Sequence, residues 1–238
     1  MDKGYMVLHL DGVFQSWGNG GTEKLKMTSP FPTKSAVIGL IACALGYTRE
    51  DKDKISSLSE SLKMAVRMDR NGRKIKDFQN VGGGSYSTVE KAGHYAVESQ
   101  IKGGKKLAHP NKLIDKEYLS DSAFTVVLEG DIELLEKCEK AIHNPKWTYT
   151  LGRYCCIPSV PIYGKKDEKV IYTEFETLIE AVSSVPLCDR ADKKSKYFVE
   201  IEDIMGDIRV SDSYSRDTFV GSSTYEDRYV NRIFVNIK

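Results

Sequence analysis

Residues 31–46 read Phe31-Pro32-Thr33-Lys34-Ser35-Ala36-Val37-Ile38-Gly39-Leu40-Ile41-Ala42-Cys43-Ala44-Leu45-Gly46. Pro32 fixes its own φ and disfavours helical geometry at Phe31, so the chain enters extended. Thr33 is then a natural N-cap whose hydroxyl accepts from an unpaired first-turn N–H, and Gly46 supplies a left-handed stop. Between them lie about three turns of helix, apolar nearly all round. Ser35, Gly39, Ala42 and Gly46 form a seam of small residues, which predicts a buried helix lying close on a sheet. The run is far shorter than the ~20 residues needed to cross a bilayer, so no membrane partner is expected.

The first turn of that helix carries Lys34 and Ser35, where backbone N–H groups point outward and the helix dipole is positive. Two readings stand: a phosphate site, or a solvated surface lysine. It is not a Walker A loop, because no glycine immediately precedes Lys34 and Gly18-Asn19-Gly20-Gly21 lies too far upstream.

Working outward towards the N-terminus, Tyr5-Met6-Val7-Leu8-His9-Leu10 reads as a buried first strand, with His9 a packed residue in it. Gln15-Ser16-Trp17-Gly18 and a glycine-rich polar tract follow. Trp17 either plugs the end of the core or offers a stacking face to a base. Towards the C-terminus, residues 50–60 form a charged linker. Leu62, Met64, Val66 and Met68 then alternate with polar residues, which predicts a half-buried strand exposing Lys63 and Arg67. Asn71-Gly72 signals a hairpin, with residues 74–78 as the returning strand.

Residues 80–116 depart from the rest, with many glycines and lysines and with Tyr86, His94 and Tyr95 interspersed. Such an insertion is functional or disordered. Lys91, Lys102, Lys105 and Lys106 beside aromatics suit a nucleic-acid backbone and its bases. Strand returns at residues 118–128, a helix capped by Asp131 runs through Ile142, and residues 147–163 are extended. The resulting order, β-α-β-β-α-β, is the ferredoxin-like, RRM-like split βαβ arrangement of an α+β domain over residues 1–163. Residues 164–238 read as a small β-rich appendage. Within it, residues 173–181 suggest a helix, residues 189–196 a mobile loop and residues 228–238 a final strand.

Composition bounds the function. At 238 residues, 40% hydrophobic and 29% charged, the chain is of ordinary globular make-up. The net charge of +1 excludes a protein that coats nucleic acid all over. The charge is unevenly spread, however. Residues 63–117 hold 12 Lys and Arg against 6 Asp and Glu, whereas residues 129–140 hold 5 acids and 2 lysines. One arm is therefore basic and suits an anionic partner. Five cysteines without a Cys-x-x-Cys encode neither a disulfide framework nor a zinc site, which fits a reducing cytoplasm, and no cofactor loop or metal spacing occurs.

Four stretches carry a resemblance to a known family. They are Asp11-Gly12-x-x-Gln15-Ser16-Trp17-Gly18, Phe31-Pro32-Thr33-Lys34-Ser35-x-x-Ile38-Gly39-Leu40, residues 116–126 and Tyr149-Thr150-Leu151-Gly152-Arg153. Together they resemble the CasD-type subunits of the type I-E CRISPR interference complex, Cascade, over residues 5–163. The resemblance implies a repeat-associated RNA-binding subunit with a projecting thumb, for which residues 80–116 are positioned. Such a subunit holds the 5′ end (the 5′ handle) of the CRISPR RNA and packs against backbone filament subunits and the large subunit. Target DNA is then met only through the complex. Where the family often carries a histidine, this chain has Gln79.

On this reading phosphates sit at Lys34, Ser35, Arg67 and the thumb lysines. Trp17, Tyr86 or Tyr95 stack bases, and Gly152 admits a close backbone beside Arg153. The alternative is a metal-independent endoribonuclease acting on CRISPR repeat RNA, as in relatives of subtype I-C. That chemistry needs a preorganised base and a cation, and the four histidines, His9, His94, His109 and His143, are poorly placed for it. Binding without catalysis is the expectation.

Overall fold

The computed structural model describes residues 2–22, 24–81, 85–86, 107–108, 112–165, 168–202, 212–219 and 225–237. In chain order the first elements are strands β1 (Lys3–Gln15), β2 (Gly18–Gly21) and β3 (Leu25–Thr28), then helices α1 (Lys34–Leu45) and α2 (Lys52–Glu60). Strands β4 (Lys63–Arg70), β5 (Arg73–Val81), β6 (Ser85–Tyr86), β7 (Leu107–Ala108) and β8 (Lys112–Asp131) follow, and helix α3 (Ile132–His143) after them. The C-terminal part holds β9 (Ile171–Tyr172), helix α4 (Leu178–Ser184), β10 (Tyr197–Ile201), β11 (Asp212–Phe219) and β12 (Tyr225–Val235).

Most strands belong to one 10-stranded curled sheet of order β11-β12-β10-β4-β8-β1-β9, with β2, β3 and β5 joined to its side. The long strand β8 is its spine. Residues 119–131 pair antiparallel with β1, the second half also pairs with β4 and the first half with β5. Both β4 and β5 are antiparallel to β8, so they run in the same direction. The predicted hairpin at Asn71-Gly72 is therefore a mere link between strands lying end to end. Gly72 is needed there for another reason: its φ is +63°, and a Cβ would lie 2.3 Å from Ser122 Oγ.

Alternation along the strands builds two cores. Met6, Leu8, Leu10, Met64, Val66, Phe124, Val126 and Leu128 face α1 and α3. Tyr5, Val7, Ala65, Val127 and Val199 face the other way, onto α4. That second layer explains why β4 is buried on both sides, contrary to the half-buried strand expected. The fold is thus mixed α/β, and the last strand of the expected βαββαβ order does not lie at residues 147–163. Residues 149–163 form turns rather than a fourth strand, and only the 2-residue β9 lies on the free edge of β1. The C-terminal strands β10, β12 and β11 continue the same sheet outward from β4.

Helix α1 lies where it was predicted. Gly46 caps it in the left-handed region at φ 81°, donating to the Ala42 and Cys43 carbonyls. The Thr33 side chain makes no cap bond, and its carbonyl instead accepts from the Ala36 and Val37 N–H groups. The small seam is only partly inward, since Ala42 is buried and Gly39 is exposed. Helix α3 is capped by the Asp131 side chain, which accepts from the Glu133 N–H, and it buries Leu135, Cys138 and Ile142. No helix among the described residues is long and apolar enough to cross a membrane.

Candidate nucleic-acid interface

The outer strands β10 and β12 carry a row of side chains on the face that meets the start of α1. Phe198 pairs with Phe234 and Glu200 with Arg232 across the ladder. From the core outward, Phe124, Phe31, Phe198 and Phe234 form a ladder of rings with successive centroids 6.1, 5.4 and 5.0 Å apart. The last pair is stacked, with planes 30° apart. Phe234 is 59% exposed although the rings beneath it are anchored in the core.

Around that ring lies a cleft of about 590 Å³ lined by Pro30, Phe31, Met68, Asn71, Lys194, Lys196, Phe198, Arg232 and Phe234. Its cations are Lys194, paired with Asp192 at 2.8 Å, exposed Lys196, and Arg232, which donates to Glu200 at 2.9 Å. An exposed aromatic face beside several cations is the chemistry of a single-strand nucleic-acid platform: rings stack bases and cations meet phosphates. Pro30 and Phe31 place the loop before α1 on this cleft.

The residues expected from the sequence are differently employed. Lys34 is 6% exposed and bridges to Glu202 at 3.1 Å, so it is not a solvent-facing phosphate ligand. Glu202 in turn forms an ion pair with Arg228, Oε1 to Nη1, at 2.9 Å. Ser35, half-buried, reaches Thr33 Oγ1 at 3.5 Å. Arg67 is 0% exposed and donates to Asp69, Thr125 and the Val182, Val185 and Pro186 carbonyls; the layer of residues 178–192 covers it.

Trp17 is also wholly buried, its Nε1 donating to Gln15 Oε1 at 3.2 Å, and it plugs the core instead of offering a stacking face. Gln15 donates to the Leu10 and Ser122 carbonyls, and the Ser16 N–H to the Leu151 carbonyl. Gly152, at φ +104°, admits a close backbone, but it is the protein's own: a Cβ there would sit 1.8 Å from the Ser16 carbonyl oxygen. Arg153 holds the Glu117 and Lys26 carbonyls and lies over the Tyr118 ring, 4.7 Å from its centroid. The conspicuous motifs are thus mostly structural pins. Lys91, His94, Tyr95, Lys102, Lys105 and Lys106 lie outside the described residues, and of Tyr86 only the backbone, paired with Leu107, is described.

Sequence reasoning missed Phe198, Phe234, Lys194 and Lys196. A signal was present in Lys193-Lys194-Ser195-Lys196-Tyr197-Phe198, a basic run leading into aromatics. That run is no free loop, because Asp192 N–H donates to the Asp69 carbonyl, Tyr197 Oη donates to the Asp192 carbonyl, and Arg190 grips Asp11 and Asp121. Gln79, the departure from the family's frequent histidine, donates to Asp77 at 2.6 Å.

The sheet is of mixed α/β fold with an aromatic and cationic edge, and a family assignment follows from comparison. The family model described as CRISPR-associated protein (Cas_Cas5) matches residues 5–216, and the chain belongs to that family. It is 32% identical over 164 residues to the CRISPR system Cascade subunit CasD of Escherichia coli (strain K12), covering 68% of this chain and 70% of that protein. The resemblance read from the Asp11–Gly18 and Phe31–Leu40 motifs is borne out. A solved structure described as a Cas protein superposes with a TM-score of 0.69 at 27% identity, covering 98% of this chain and 95% of that one. A chain of a CRISPR RNA-guided surveillance complex shares the fold, with a TM-score of 0.69 at 22% identity, covering 98% of this chain and 90% of that one.

Proposed function

We propose that this chain is a non-catalytic RNA-binding subunit of a Cascade-type CRISPR interference complex. It holds the 5′ handle of the CRISPR RNA and touches the backbone filament and the large subunit in the cytoplasm. The observation that carries this reading is the ring ladder ending at exposed Phe234, rimmed by Lys194, Lys196 and Arg232. A ring fixed from below loses little freedom when a base stacks on it, and each such stack contributes about 1–3 kcal/mol. The lysines add a salt-dependent, sequence-independent grip on phosphates. The lysines of residues 80–116 extend that grip as a thumb, whose root is the β5–β8 ribbon.

Within this proposal β1, α1, β4, β8, α3 and β9 form a ferredoxin-like unit, since the order β4-β8-β1-β9 with helices on one face is that of a split βαβ. Binding without cleavage is supported by the described histidines. His9 is buried beside Thr125, and His143 stacks on Tyr163 with centroids 3.9 Å apart. Neither is set to activate a ribose hydroxyl. The test is to purify the assembled complex with wild-type chain and with Phe234→Ala, then measure RNA retained across a salt titration. Equal retention at every salt concentration overturns the platform.

A further inference from the structure

The ribbon of β3, β8 and β5 has two unlike faces. On one, the ammonium groups of Lys74 and Lys76 meet Glu117 at 3.2 Å and Asp115 at 3.7 Å, so the charges cancel. Side chains alternate along a strand, which puts Lys116 and Tyr118 on the other face. There Lys26 and Lys116 are direct neighbours across the parallel β3–β8 pairing, on strands about 4.8 Å apart. Like charges set side by side on a sheet are destabilising. Neither ammonium has a carboxylate partner among the described residues. Asp77, opposite Lys116 on β5, accepts from Gln79 at 2.6 Å instead.

A third cation is built into the same spot. Arg153 Nη1 donates to the Glu117 carbonyl at 2.6 Å and Nη2 to the Lys26 carbonyl at 3.0 Å, just where β3 and β8 stop pairing. The guanidinium covers the Tyr118 ring, so it lies on the face of Lys116. Its turn is closed by the Cys156 N–H, which donates to the Arg153 carbonyl at 2.8 Å, and by the Leu151 N–H, which donates to the Cys156 carbonyl at 2.7 Å. The hydrogen-bond partners of Arg153 are carbonyls, which leave its charge uncancelled. The next residue, Tyr154, is 93% exposed. Cys155 after it donates to Tyr118 Oη at 3.7 Å, which anchors the backbone on either side of that exposed ring.

We infer that Lys26, Lys116 and Arg153 form an anion site for the phosphates of a single nucleic-acid strand, with Tyr154 as the stacking face for a base beside it. The strands and the closed turn fix the cations before the ligand arrives, so little freedom is lost on binding. A phosphate between Lys26 and Lys116 also removes their mutual repulsion. An exposed ring beside three cations favours a strand over an acidic protein surface, because bases stack and carboxylates do not. The inference rests on the reading of this chain as an RNA binder and adds a second contact to it, independent of the Phe234 platform.

The experiment is fluorescence anisotropy of the full chain with a short labelled single-stranded RNA across a salt titration. Lys26→Gln with Lys116→Gln is expected to flatten the log–log salt slope by about 1.4, the worth of two phosphates on a single strand. Lys137→Gln with Lys140→Gln, the same loss of charge on α3, should leave the slope unchanged. Tyr154→Ala should weaken binding at least about fivefold without altering the slope. Tripolyphosphate, an anion with no base, distinguishes free phosphate from a strand. It should raise the melting temperature of wild type more than that of the Lys26 and Lys116 double variant, and Tyr154→Ala should not change that rise. Equal slopes for the two lysine pairs, or a tripolyphosphate effect that survives loss of Lys26 and Lys116, overturns the site. Poly-glutamate that competes as well as RNA makes an acidic protein the occupant and overturns the strand. RNA binding that falls in Phe234→Ala but not in the Lys26 and Lys116 variant overturns this inference alone. A wild-type chain that takes tripolyphosphate at these lysines but no RNA overturns the strand and, with it, the RNA-binding reading.

Discussion

Arg67 Nε donates to Asp69 Oδ1 at 2.6 Å, and neither side chain reaches solvent. The same guanidinium ties down three carbonyls of the segment after α4, at Val182, Val185 and Pro186. Removing one partner of a buried pair leaves the other charge uncompensated, which costs about 3–5 kcal/mol. Arg67→Met is therefore expected to lower unfolding free energy by about that amount in urea titration. A loss under about 1 kcal/mol would mean that water reaches Asp69 and that the C-terminal layer is not held this way.

Gly152 should not tolerate a side chain. Alanine at φ +104° costs about 1–3 kcal/mol from backbone strain alone, before any collision with the Ser16 carbonyl is counted. Gly152→Ala is expected to lower the melting temperature and to expose Trp17, whose fluorescence should shift to the red. An unchanged emission spectrum would show that the 150–156 turn does not close over the Trp17 plug.

Phe234→Ala should separate binding from stability. The ring is mostly exposed, so melting should move little, while affinity for single-stranded RNA falls by about 1–3 kcal/mol in fluorescence anisotropy. Lys194→Ala with Lys196→Ala should act differently, flattening the salt dependence by about 0.7 in log–log slope for each phosphate left without its lysine. A mutant slope equal to wild type would move the phosphates off this rim.

Acid should destabilise the fold through His9. Burial holds its folded pKa below the ordinary 6.5, against the opposing pull of Glu168, Asp69 and Asp189 and with a smaller push from Arg67. The unfolded state therefore takes up protons first. The His9 contribution is complete above about pH 6.5 and is lost as pH falls through the folded value. Comparing melting temperatures at about pH 7.5 and about pH 5.5 in wild type and His9→Asn checks this, because the variant should lose part of the dependence. Parallel curves would exclude His9 as the titrating group.

How far the sequence could be read depended on what each residue needed in order to be understood. Helix α1 and helix α3 were legible because their caps and periodicity are local. The first strand and the alternation of β4 were legible for the same reason. The second burial layer was not, since Arg67 looks exposed until residues 178–192, more than a hundred positions away, are folded over it. The Asn71-Gly72 hairpin misled because its glycine answers a contact with Ser122, which no local pattern reveals. In the candidate site, Gln15, Ser16, Trp17 and Arg153 were expected to meet RNA, yet their hydrogen bonds are to the protein's own groups. Phe198 and Phe234 became a platform only through pairing across β10 and β12, a long-range register invisible in either segment alone.

The addition of β10, β12 and β11 beyond β4 bears on how the chain matures. During synthesis β1, β4 and β8 are available long before residue 197 emerges, and until then the outer edge of β4 offers unpaired N–H and carbonyl groups to any passing strand. Completion of the sheet waits on residues 197–235, the same ones that carry Phe198 and Phe234. Competence to grip a nucleic acid and protection from edge-to-edge sticking should accordingly arise in a single event.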